Sequence, residues 1–143
     1  MMKREPNWYG LNMLPVYDEM LEGQLDASLG QFNNLKSAEH KPHVLNDEIV
    51  SRIIKSHTNQ NEDIWVYFEQ CRKWRNASPT SQELEVITLI EKNAAKLEQV
   101  NKDIIALASS FKDKTIDSIL SKSNREAGLE WLLKACSKDY QNK

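Results

Sequence analysis

The sequence predicts an all-α fold, a helical bundle built on a long antiparallel hairpin of its second and third helices. Three observations carry that prediction. Glycine and proline number only four each in 143 residues, so the chain lacks the punctuation that many short strands require. Leu, Glu, Lys, Ala, Gln and Ile are plentiful, and most of these are good helix formers. Apolar residues recur at steps of three and four, the period of one helical face.

Residues 1–13 read as an N-terminal tail and residues 14–143 as a single domain, long enough to bury a core without metal or disulfide support. The first helix spans about Leu14 to Ala38. Pro15 suits its first turn, and Val16, Met20, Leu21, Leu25, Leu29, Phe32 and Leu35 form its expected stripe. Asp18, Glu19, Glu22 and Asp26 lie toward its N-terminal half, where acidic side chains interact favourably with the dipole.

The segment "EHKPHVLND" interrupts the pattern, because the residue before Pro42 is steered away from helical angles and Asn46 can cap a new helix. Ile49, Val50, Ile53 and Ile54 then precede the polar stretch "SHTNQNED", and apolar residues resume at Ile64, Trp65, Phe68 and Cys71. Ile53, His57, Gln60 or Asn61, Ile64, Phe68 and Cys71 keep one helical phase. The prediction is therefore one unbroken second helix, about Asn46 to Asn76, with no Gly or Pro to stop it.

"NASPTSQE" marks the next boundary. Ser78 can cap with Pro79 in the first turn, or Thr80 with Glu83 can form a capping box. The third helix carries Ile87, Ile90, Ala94, Leu97, Asn101, Ile104, Ala108 and Phe111 at alternating steps, with Asn101 its one polar member. Such a seam can make a coiled coil, but Ile105 and Leu107 widen it toward bundle packing. After "KDKT", two short C-terminal helices are expected, one around Ile116, Ile119 and Leu120 and one opened by Ser123 and Glu126. The first helix and these two pack along the hairpin.

Composition narrows the function. A net charge of −2 with 28% charged residues gives no global field for nucleic acid or an anionic membrane. Cys71 and Cys136 have no second thiol at metal or redox spacing, which suits buried free thiols in a reducing cytoplasm. The opening "MMKREPNWYG" lacks the apolar run of a signal peptide. No window approaches the ~20 apolar residues of a membrane span. His40 and His43 could share a zinc, but no spacing supplies the remaining ligands. No nucleophile elbow, phosphate loop or paired Glu-x-x-His motif is present, so neither an enzyme nor any cofactor or metal is expected.

Two groups of residues stand out. If the hairpin turns near Ala77, residues at equal distance from the turn lie side by side, since each helix rises ~1.5 Å per residue. That rule places His57 and Gln60 or Asn61 beside Glu98 and Asn101, and applied again around Pro42 it brings Gln24 and Ser28 to the same height. They are expected to form a hydrogen-bonded polar layer with His57 buried in it; a small ligand- or ion-binding cavity is the alternative. The second group is the tail aromatics Trp8 and Tyr9 with "CRKWRN", which holds Arg72, Lys73, Trp74 and Arg75. These are candidate partner contacts. Cations at a helix end also offset its dipole, so a nucleic-acid role for the cluster is the weaker reading. The function expected is a non-enzymatic cytoplasmic interaction module, an adaptor or assembly subunit, whose partner is another protein or a second copy.

Overall fold

A computed structural model describes residues 7–121, and every regular element among them is helical. A 3-10 turn, Leu11–Met13, leads into α1, Leu14–Ala38, with Met13 N–H bonded to Gly10 O at 3.0 Å. The α1 face that turns inward is Leu14, Tyr17, Leu21, Leu25, Ser28, Leu35 and Ala38. Val16 and Met20, expected on that stripe, are 50% and 45% exposed. Tyr17 sets the phase instead: a step of three from Leu14 and four to Leu21 leaves positions 16 and 20 on the flank.

Asn46 caps α2, Asp47–Asp63, its Oδ1 accepting the Ile49 N–H at 2.8 Å. The polar stretch 56–63 is helical throughout. The predicted single helix nevertheless divides one residue later: α3 is Trp65–Arg75, and Ile64 joins the two. Ile64 keeps right-handed angles (φ −66°, ψ −24°). Its N–H bonds Asn61 O and its carbonyl takes the Tyr67 N–H, both three residues away. The chain is tightened there into a 3-10 step rather than bent by a breaker residue.

Ser78 is the single non-glycine residue at positive φ among those described, at 57°. The next helix, α4, is Ser81–Ser110, capped by Thr80 rather than Ser78, and the Thr80–Glu83 capping box is complete. Ile87, Ile90, Ala94, Leu97, Asn101, Ile104 and Ala108 are its buried positions. Residues 116–121 are helical, opened by Thr115, whose Oγ1 accepts the Ser118 N–H at 3.1 Å. The expected last helix beginning at Ser123 and Glu126, and Cys136, lie outside the described residues.

Among the described helices α4 is the shared partner, contacted by α1, α2 and α3, with α1 making the most extensive contact. α1 thus packs along α4, where the expectation laid it along the hairpin of the second and third helices together. Ala94 and Ala108 on α4, with Ser28 and Ala38 on α1, are buried small residues that let those two backbones approach. Between α1 and α3 lie larger side chains, Tyr17 packing edge-on against Tyr67 and Trp74 at centroid distances of 6.0 and 5.1 Å. The bonded pairs Arg75–Glu91, Asn61–Glu98 and His57–Asn101 show α2 and α3 antiparallel to α4. α1 runs parallel to it, since Leu14 and Asp18 share a cavity wall with Glu83 and Val86 while Ser28 bonds Asn101.

Two buried apolar clusters result. One joins Leu14, Leu21 and Leu25 to Ile64, Trp74, Ile87, Ile90 and Leu97; the other joins Leu35 and Ala38 to Val50, Ile53, Ile104 and Phe111. No helix among the described residues is long and apolar enough to cross a membrane.

Candidate functional site

Between the two clusters Asn101 is wholly buried, and its carboxamide uses every hydrogen-bonding capacity it has. Its Oδ1 accepts from Ser28 Oγ at 2.9 Å and faces His57 Nδ1 at 2.8 Å. Its Nδ2 donates to Gln60 Oε1 at 2.7 Å and to Asn61 Oδ1 at 2.9 Å. Asn61 Nδ2 donates in turn to the backbone carbonyl of Glu98 at 3.1 Å. That carbonyl can only accept, so it fixes the direction of the chain: Asn61 must present oxygen to Asn101, and Asn101 must present oxygen to His57. The proton of neutral His57 therefore sits on Nδ1.

The layer departs from expectation in four places. His57 is half-buried rather than buried, its ring engaged at Nδ1 by Asn101 Oδ1. The Glu98 side chain takes no part; only its carbonyl does. Gln24 lies one turn away and accepts from the Tyr67 hydroxyl at 2.7 Å. The long Tyr67 ring reaches across the α1–α3 space to it. Burial, and then the neighbouring Tyr17, push the Tyr67 hydroxyl up to about 12. Both Gln60 and Asn61 join the layer, where the sequence suggested one or the other.

The tail docks. Gln70, wholly buried, reads the backbone of Tyr9 with both ends of its amide: Oε1 accepts the Tyr9 N–H at 2.8 Å and Nε2 donates to the Tyr9 carbonyl at 3.1 Å. The Trp74 indole N–H donates to the same carbonyl at 3.0 Å. Trp8 meets Trp65 edge-on at 6.2 Å, with Lys73 Nζ 5.1 Å from the Trp8 ring. Tyr9 packs against Tyr17 at 5.9 Å.

The basic cluster is engaged within the chain. Arg72 pairs with Glu69, whose carboxyl is held below its ordinary value by that hydrogen bond. Arg75 makes a two-pronged contact with Glu91 and also reaches Thr88. Trp74 is buried in the first cluster, so it is not a surface residue of "CRKWRN". Cys71, also buried, has its thiol pushed up to about 12 by burial and then by Glu91.

Two buried polar residues escaped the sequence reading, Gln70 and Thr115. Thr115 donates to Asp47 Oδ1 while Asp117 accepts the Asp47 N–H, clasping the start of the last described helix to the start of α2. A polar residue four before Trp74, on the same helical face, was the available signal for Gln70; Thr115 had none beyond its place after "KDK". Near the starts of α1 and α4 lies a cavity of about 370 Å³ walled by Leu14, Pro15, Asp18, Gln82 and Val86. Asp18 Oδ1 is buried without a partner among the described residues. His40 and His43 are exposed in the α1–α2 connection, and no group of three or more metal-ligating side chains occurs among the described residues. No family model, curated protein or solved structure matches the chain, so a functional reading rests on these contacts.

Proposed function

We propose that the protein is a small non-enzymatic helical interaction module, an adaptor or assembly subunit of the cytoplasm, that binds a protein partner or a second copy through the outer face of α3. One observation supports this reading: Trp65, Phe68 and the docked Trp8 and Tyr9 remain 43%, 37%, 38% and 42% exposed on and beside one short helix. Large aromatics are costly to leave in water together and are the favoured anchors of protein interfaces. Arg72 and Lys73 with Glu69 supply a charged rim. The antiparallel α2–α3 and α4 pair acts as the hairpin-like support that holds this face rigid. The α4 seam is filled within the chain, so pairing through it as a coiled coil is not the route.

The rival readings gain less. A nucleic-acid surface would need free cations, whereas Arg72 and Arg75 are each held by a carboxylate. A ligand site in the polar layer would need an open hydrogen-bonding group, whereas Asn101 has none left. The test is the double substitution Trp65→Ser/Phe68→Ser in the full chain, with sedimentation for self-association and affinity capture for partners. The variant should keep its helical circular dichroism and bind at least ~30-fold more weakly, as loss of an interface anchor entails. Identical assembly and identical captured partners in both chains would remove the reading.

A further inference from the structure

We infer that the seat now filled by residues 7–10 is a peptide-binding site, able to take an extended segment of a partner with an aromatic residue in place of the chain's own strap. The inference rests on the interaction reading and names the chemistry of the partner. Gln70 Oε1 and Nε2 pair with the N–H and C=O of one residue, and Trp74 Nε1 adds a second donor to that carbonyl. Such contacts read backbone and not side chain, so any chain that is extended at this point satisfies them equally.

Side-chain selectivity comes from two positions. The residue before the clamped one lies edge-on against Trp65 beneath Lys73, and the clamped residue lies against Tyr17. Each favours an aromatic ring. Both docked rings stay about two-fifths exposed, and Tyr9 is the one residue of 7–10 hydrogen-bonded to α3. A segment whose hydrogen bonds to α3 all pass through one residue belongs to the easily opened end of the stability range. When it leaves, the Gln70 amide and the Trp74 N–H lose their partner beside the rings of Trp65 and Tyr17, which leaves a seat ready for another backbone with an aromatic residue.

The experiment uses the full chain carrying Trp8→Ala and Tyr9→Pro, which removes the strap's N–H and its leading ring. The probe is a synthetic peptide of residues 5–12, EPNWYGLN, titrated while the Trp74 indole N–H resonance is followed by NMR. The peptide should move that resonance saturably, and should need at least ~10-fold more peptide on the wild-type chain, where the tethered strap competes at about millimolar effective concentration. A peptide N-methylated at the tyrosine amide cannot donate to Gln70 and should bind ~10-fold more weakly. An unmoved resonance at millimolar peptide, or equal binding of the N-methylated peptide, overturns the seat. If that happens while Trp65→Ser/Phe68→Ser still loses its complex, the α3 face stands as the interface and the peptide seat alone falls.

Discussion

Asn101 shows how one side chain can hold three helices in register. A buried carboxamide with two donors and two acceptor sites filled is neutral to the core, while any change that leaves its partners facing an empty or wrong group costs ~1–3 kcal/mol per orphaned group. Replacement by Asp is the most damaging variant expected, although it is the smallest in shape. A carboxylate would face the Gln60 and Asn61 oxygens that now receive protons from Nδ2. Asn101→Leu orphans the same neighbours without adding a buried charge, so it should cost less, about 2–3 kcal/mol. His57→Ala should cost only about 1 kcal/mol, because His57 is half-exposed and Asn101 Oδ1 keeps the Ser28 hydroxyl. Urea midpoints rank the three, and an Asp variant more stable than the Leu variant would refute the assigned polarity of the layer.

Helix starts were legible in the sequence because the signals that make them are local. Asn46, Pro15 and the Thr80–Glu83 pair each act within a turn of their own position. The division at Ile64 was not legible, since it is made by ordinary residues adopting a tighter step where a polar layer gives way to an aromatic cluster. Ser78 shows the opposite case, a strained position visible only in the structure. Its φ of 57° suits glycine and lies just before Pro79, where neighbouring backbone is further restricted. Ser78→Gly should raise stability by about 0.5–1 kcal/mol, the relief of the left-handed conformation less the added freedom of the unfolded chain. A matching fall in thermal midpoint would mean that the serine side chain holds the turn in a way its dihedral does not reveal.

At the scale of the molecule, periodicity predicted which α4 residues are buried but not which helix they meet. Spacing fixes a face, whereas the neighbour on that face depends on size: alanines and Ser28 bring α1 close, and tyrosines hold it away from α3. The polar layer was found by height along the helices, which is a matter of simple counting. Its membership shifted because Tyr67 is long enough to draw Gln24 aside. Tail docking on Gln70 could not be counted, since an extended segment has no fixed rise to match against a helix. The layer also partitions the interior, with Val100, among the described residues, the one that packs against both apolar clusters. Clusters joined so narrowly should open as separate cooperative units. Amide exchange in mild denaturant is therefore expected in two tiers. The lower cluster, around Val50, Ile53, Ile104 and Ala108, should exchange at a smaller opening free energy than Trp74, Ile87, Ile90 and Leu97, whose cluster is larger. If every core amide converges on one opening free energy, the polar layer couples the two halves instead of dividing them.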